Sequence, residues 1–232
     1  ANSFLATKIT FINEISDLCE KVGANVNDVS TGIGLDGRIG KKFLHPGPGF
    51  GGSCFPKDTL ALVKTAQDYN SPLSIIEHVV KSNDERKKNI YKKILDVIPK
   101  DKDKKTIGIL GLTFKPNTDD MRDSPSLELI PKLIKKKFKL RVFDPEGMKE
   151  AKKYFKNLSN KITYCKNPYE TAENSDALVI LTEWNQFRAL DLVKIQNSLN
   201  NKVIVDFRNI YNPTELTAMG FKYLSLGRQK DD

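Results

Sequence analysis

Thr106-Ile-Gly-Ile-Leu110 is a short apolar run, and five more follow it: Leu140-Arg-Val-Phe143, Ile162-Thr-Tyr164, Ala177-Leu-Val-Ile-Leu181, Val203-Ile-Val205 and Tyr223-Leu224. Runs this brief, bounded by polar turns, read as strands. Helical segments fill the gaps between them, and such alternation implies a parallel sheet wrapped by helices. Ligands of such sheets sit in the crevice beyond the carboxyl ends of the strands. Thr113, Phe114, Lys115 and Arg122 follow the first strand, Asp144 the second, Thr182 and Glu183 a middle one, and Arg208 a later one. Lys115, Arg122 and Arg208 are the kind of cationic donor a diphosphate needs. Ser124-Pro-Ser126 starts the helix after the first strand, with Pro131 in its interior, where a kink or a lost hydrogen bond is expected. Lys135-Lys-Lys-Phe138 ends that helix without the usual glycine.

Upstream the pattern changes. Pro99-Lys-Asp-Lys-Asp-Lys-Lys105 is charged and aperiodic, and reads as a linker (99–105) between residues 1–98 and 106–232. Before it nearly everything reads helical: residues 1–22, a short helix from Val26 to Gly32 started by Asn25 or Asn27, Thr59 to Tyr69, and Leu73 to Val97. The last carries Ile75, Ile76, Val79, Val80, Ile90, Ile94 and Val97 at the spacing of a buried stripe.

A length of 232 residues with 39% hydrophobic content is enough for one large or two modest cores. Three cysteines without Cys-x-x-Cys spacing argue against a disulfide framework and for a reducing, cytoplasmic setting, with Cys19 and Cys165 as structural residues. No metal-ligand cluster and no long apolar span occur, so neither a metal nor a membrane is expected. The net charge of +9 invites a nucleic-acid reading, but the lysines are spread over polar helix faces and the linker, with no recognition motif beside them. No nucleic-acid partner is expected, although a basic surface helps recruit an anionic ligand. His45 lies in a loop and His78 in the long helix, neither with a partner at catalytic spacing.

The chemistry concentrates in Gly49-Phe-Gly-Gly-Ser-Cys54-Phe-Pro-Lys-Asp58. Glycines let a backbone approach a bound group closely, and Pro56 suits the first turn of a helix. The positive end of that helix, with Lys57 nearby, favours the nucleophilic thiolate of Cys54. Asp58 lies one turn beyond, on the same face, where it can relay a proton or order a water. A lone cysteine is more often a buried hydrophobe, but the flanking glycines, proline and aspartate reverse that preference here.

This loop, preceded by Lys42-Phe-Leu-His-Pro-Gly-Pro48, resembles the active-site loop of the UDP-glucose/GDP-mannose dehydrogenase family. The resemblance continues in Asn2-Ser-Phe-Leu-Ala-Thr-Lys-Ile9, in Gly111-Leu-Thr-Phe-Lys-Pro-Asn-Thr-Asp-Asp-Met-Arg-Asp-Ser124, in Thr182-Glu-Trp184 and in Asp206-Phe-Arg-Asn209, and so runs through nearly all of the chain. It implies an α/β protein: an all-helical central dimerisation domain followed by a Rossmann-like parallel α/β domain that binds the UDP-sugar. It implies NAD as cofactor, a nucleotide sugar as substrate and a homodimer through the helical domain. Cys54, Asp58 and Asn2 match catalytic positions. Arg38, Phe43, Leu44, His45, Gly49, Phe50, Gly51, Phe114, Lys115 and Arg208 match substrate contacts, Arg38 reaching the neighbouring subunit's sugar nucleotide. Cys54, Lys57 and Arg122 face the cofactor. The Phe-Pro-Lys-Asp ending of the loop and Asp206-Phe-Arg-Asn209 favour UDP-glucose, with GDP-mannose and UDP-N-acetylhexosamines as alternatives and a dimerisation or nucleotide-binding module as the non-enzymatic reading. The family's Gly-x-Gly-x-x-Gly dinucleotide turn does not occur in this sequence, and its catalytic lysine, four positions before the asparagine that Asn2 matches, would precede Ala1. The chain is therefore expected to be part of a longer enzyme and inactive alone.

Overall fold

The computed structural model describes residues 1–99 and 105–228, so the linker expected over 99–105 lies largely outside the described residues. The first half is helical: α1 (Asn2–Val22), α2 (Val26–Leu35), α3 (Cys54–Asp68), α4 (Ser74–Asn89) and α5 (Tyr91–Val97). Then come β1 (Thr106–Leu110), α6 (Pro125–Lys135), β2 (Lys139–Phe143), α7 (Met148–Tyr154), β3 (Ile162–Tyr164), α8 (Pro168–Ala172) and β4 (Ala177–Ile180). The chain continues with α9 (Asn185–Arg188), α10 (Leu192–Ser198), β5 (Val203–Asp206), α11 (Pro213–Ala218) and β6 (Lys222–Ser225).

All six strands are parallel, in the order β3-β2-β1-β4-β5-β6. The order reverses between β1 and β4, and that switch point opens the ligand crevice of doubly wound sheets. The central strands β1, β4 and β5 are largely apolar because both faces are covered, whereas β2, β3 and β6 carry the exposed Lys139, Thr163 and Lys222. Ile107, Ile109, Val179 and Val205 pack on one side with Leu129, Leu133 and Phe155. Leu110, Leu178, Ile180 and Ile204 pack on the other with Trp184, Phe187 and Leu216.

In the helical half α1 packs against α2, α3 and α4. Its small cores gather Ile12, Cys19, Val26 and Leu44 in one place and Ala6, Phe50 and Val79 in another. Asn25 caps α2 through its side chain, and the helix runs to Leu35, past the expected end at Gly32. The single helix expected from Leu73 to Val97 is two, interrupted at Ile90. Ile90, Ile94 and Val97 then pack into the core of the sheet, so α5 ties the halves together. The segment after β6 returns to the helical half, where Val26 N–H donates to Gly227 O (2.8 Å) and Gly227 N–H to Glu20 Oε1 (2.9 Å).

Helix α6 runs through Pro131 without a break; what the proline removes is the donor for the carbonyl one turn back. Its end uses Lys137 where a glycine is usual: φ is 67°, Phe138 N–H donates to Leu133 O (3.1 Å) and Lys137 N–H to Ile134 O (2.9 Å). That bond pair is the Schellman ending.

Candidate active site

Helix α3 begins at Cys54, with Ser53 as its N-cap residue, five positions before the expected start at Thr59; Pro56 falls in the first turn as expected. The Cys54 thiol is exposed, whereas Cys19 and Cys165 are buried, and burial pushes both of those thiols up from the ordinary cysteine range. Helix α1 delivers Asn2 to the same place. Its Nδ2 donates to Asp58 Oδ2 at 2.5 Å, and Lys57 Nζ lies 3.7 Å from Asp58 Oδ1. The amide keeps a second N–H and its carbonyl oxygen for a ligand.

The sheet supplies the opposite wall. Arg208, just beyond β5, is held by four contacts: its N–H donates to Asp206 Oδ1 (2.9 Å), Nε to Leu181 O (2.9 Å) and Nη2 to Phe114 O (3.3 Å), and Nε stands 3.0 Å from Glu183 Oε2. Lys115 Nζ sits 5.4 Å over the Phe114 ring. Arg122 forks onto Asp120, Nη2 to Oδ2 at 2.7 Å, and holds that carboxyl below the usual range.

The two walls touch through glycine. Gly52 N–H donates to Arg122 O (2.7 Å) at a φ of 84°, and a β-carbon there would meet the Phe114 ring at 2.7 Å. Between the walls lies a cavity of about 880 Å³, within the range of small-ligand sites. Of the expected site residues, Asn2, Phe43, His45, Gly49, Phe50, Gly51, Cys54, Phe114, Lys115 and Arg208 line it. Asp58 and Arg122 sit one contact behind, against the lining residues Asn2 and Asp120. Two others lie apart: the Leu44 side chain is in the helical core, 1% exposed, and Arg38 is an exposed cation forked onto Asp36 (Nη2–Oδ2 2.6 Å).

Sequence reasoning missed several lining residues. Leu5 and Ile9 share the Asn2 face of α1 and were detectable from helical spacing alone. Lys42, Phe55, Thr118 and Asp120 also line the cavity, together with Glu183, which its place after a strand puts at the crevice. Phe43 holds a φ of 64°, a conformation costly for a bulky side chain and concentrated at functional sites. Among the described residues no group of His, Cys, Asp and Glu could hold a metal, and no helix is long and apolar enough to cross a membrane.

Fold and cavity together define a doubly wound α/β protein with an exposed thiol in the cavity between its two walls. Residues 1–85 match the central domain of the UDP-glucose/GDP-mannose dehydrogenase family, and residues 108–213 match that family's UDP binding domain. A UDP-glucose 6-dehydrogenase of Rhizobium meliloti is 55% identical over 98% of this chain and 51% of its own length. One of Rickettsia prowazekii is 46% identical over 99% of this chain and 52% of its own length. A solved UDP-glucose dehydrogenase of Pyrobaculum islandicum superposes with a TM-score of 0.79 at 32% identity, over 98% of this chain and 49% of that one. The chain belongs to the UDP-glucose/GDP-mannose dehydrogenase family. It spans about half the length of the curated relatives it matches.

Proposed function

We propose that this chain forms the thiol-bearing and UDP-binding part of a UDP-glucose 6-dehydrogenase, an oxidoreductase that converts UDP-glucose to UDP-glucuronate. The convergence of Cys54, Asn2 and Arg208 on one cavity carries this reading, because it sets a nucleophile and an amide opposite cationic donors. The uridine diphosphate lies toward Lys115 and Arg208, and the sugar toward Cys54. NAD, when bound, supplies the acceptor for both hydrides. The exposed cations Lys57, beside Asp58, and Arg122, beside Asp120, fit an anionic dinucleotide.

After C6 has become an aldehyde, the Cys54 sulfur bonds to it and the aldehyde oxygen takes a proton, giving a thiohemiacetal. Asn2 holds that oxygen and an ordered water, and Asp58 fixes the Asn2 amide. Once the adduct has been oxidised to a thioester, water attacks C6, the C–S bond breaks, and sulfur leaves as a thiolate with the carboxylate as product. Covalent capture keeps the aldehyde from escaping between the oxidations.

Protein carrying this chain is expected to yield two NADH per UDP-glucuronate, and as Cys54→Ser to lose steady turnover to UDP-glucuronate. The chain by itself is expected to bind UDP-glucose without turnover. Calorimetry that ranked GDP-mannose or a UDP-N-acetylhexosamine above UDP-glucose would overturn the choice of sugar. The homodimer belongs to the same proposal. Phe4, Phe11 and Leu18 recur every seventh residue on α1 and are 68%, 46% and 53% exposed, an unpartnered apolar stripe. Phe11→Glu is expected to shift a sedimenting dimer to monomer, and an already monomeric parent chain refutes the assembly.

A further inference from the structure

The loop that leads into Cys54 has little regular structure of its own, and side chains from two distant helices hold it in place. Gly47 is gripped at both ends of its peptide groups: its N–H donates to Asn13 Oδ1 (2.8 Å) and its carbonyl accepts from Arg86 Nε (2.6 Å). Three residues on, one amide satisfies a whole residue. Phe50 N–H donates to Asn83 Oδ1 (2.8 Å), and Asn83 Nδ2 donates back to Phe50 O (3.1 Å).

The gripping residues are themselves fixed. Asn13 and Asn83 are 4% and 5% exposed. Arg86 has a side chain 9% exposed and anchors on Asp17 (2.9 Å), Asn13 O (3.3 Å) and Ser16 Oγ (3.3 Å). Behind them a second cavity, of about 260 Å³, is walled by Thr10, Asn13, Asn83 and Arg86. The Phe50 ring packs with Ala6 and Val79, but its backbone and that of Gly47 are fixed by these polar bonds, which buried groups keep at a cost if unmade.

We propose that Asn83 and Arg86 of α4, with Asn13 of α1, are positioning residues of the active site. They set the backbone of Gly47 to Phe50, and through Gly51 and Gly52 the placement of Cys54, although none of the three lines the ligand cavity. The inference rests on the reading of Cys54 and its cavity given above.

Two measurements on the intact chain test it. The first is hydrogen exchange of the loop, resolved by peptide. In Asn83→Ala, exchange across residues 46–53 is expected to rise about tenfold while α1, α6 and the sheet stay unchanged, since one or two net hydrogen bonds are lost. The milder Arg86→Lys keeps the buried charge against Asp17 but not the Nε donor, and is expected to loosen the same segment less. The second is iodoacetamide labelling of Cys54, which the burial of Cys19 and Cys165 leaves uncontested. UDP-glucose is expected to slow labelling of the parent chain, and the concentration needed is expected to rise about tenfold in Asn83→Ala.

Loop exchange that stays at the parent level, or that rises equally throughout the molecule, overturns the clamp. So does unchanged protection by UDP-glucose in a variant whose loop has loosened. If UDP-glucose protects not even the parent chain, the substrate reading fails, and the exchange data alone decide the clamp.

Discussion

Gly51→Ala puts the contact between the helical half and the sheet directly under load. A β-carbon at residue 51 would lie 2.4 Å from Asp123 O, 2.7 Å from Asp123 C and 3.1 Å from Ser124 N. All three are backbone atoms, so no side chain can rotate away. The φ of Gly51 lies outside the left-handed region, so alanine meets no local conformational penalty and the clash stands by itself. The Asp123 turn is pinned from below, since Ser124 Oγ donates to Leu112 O (2.7 Å) and caps α6. The loop must therefore yield, by about 1 Å to reach ordinary contact. That movement strains the Gly52 N–H bond to Arg122 O. Overpacking plus one weakened hydrogen bond gives a destabilisation of about 2–3 kcal/mol. Urea unfolding checks it, with Gly32→Ala as the opposing control. Gly32 lies inside α2 with nothing within 4 Å of its β-carbon position, so that variant should gain up to about 1 kcal/mol. UDP-glucose binding by calorimetry should weaken in Gly51→Ala and stay put in Gly32→Ala. Equal stabilities for the two variants, or parental affinity in Gly51→Ala, would refute the reasoning.

Other perturbations have equally defined outcomes. Arg208→Ala should lower UDP-glucose affinity by roughly 10- to 100-fold, the worth of a charged hydrogen bond, and Arg208→Lys should recover only part because the fork is gone; calorimetry reads both. Lys137→Gly relieves a left-handed lysine at the end of α6 and should stabilise by about 0.5–1 kcal/mol, visible as a melting temperature a few degrees higher. Tyr223 donates to Asp206 Oδ2 (2.8 Å), and burial together with the Asp206 charge pushes its hydroxyl, like that of Tyr211, far above the ordinary tyrosine range. Above about pH 10 the unfolded chain sheds these protons while the folded one retains them, so stability should fall as pH rises. Tyr223→Phe should cost about 1 kcal/mol at neutral pH yet flatten that alkaline decline; urea midpoints from pH 8 to 11 with parallel slopes for both proteins would contradict the assignment.

What could be read from the sequence follows from how local each determinant is. The sheet was legible because parallel strands buried on both faces leave uninterrupted apolar runs, and Ile107 to Leu110 is such a run. The break at Ile90 was not, because Ile90 keeps a right-handed helical backbone and the apolar stripe continues through it into Ile94 and Val97. The lysine ending of α6 was unexpected for a related reason: a Schellman ending is defined by φ and two backbone bonds, and glycine is only its commonest occupant. At the site, loop and strand-end residues that carry their chemistry in their own side chains were found, Cys54, Lys115 and Arg208 among them. Residues acting through someone else's backbone were not. Asn83 and Arg86 stand 33 and 39 positions from the peptide groups they hold, and a polar residue on a helix reads as solvent-facing until the fold shows what lies against it.

A site shared between the helical half and the sheet works only if the two keep their distance, since about 1 Å of misplacement can cost a reacting pair about 100-fold in rate. Four contacts of different kinds do this here. Gly51 lies under the Asp123 turn, Gly52 bonds to Arg122 O, Gly227 bonds into the start of α2, and Ile94 sits in the sheet core. They fall at three places, the first two side by side at the Asp123 turn, so the halves are joined at more than one point. The separation between the Cys54 thiol and the Arg208 guanidinium is thus built into the packing of α5 and the loop. In the proposed reading a nucleotide sugar binds between walls already in contact, which leaves its binding energy available for orienting C6 against the sulfur.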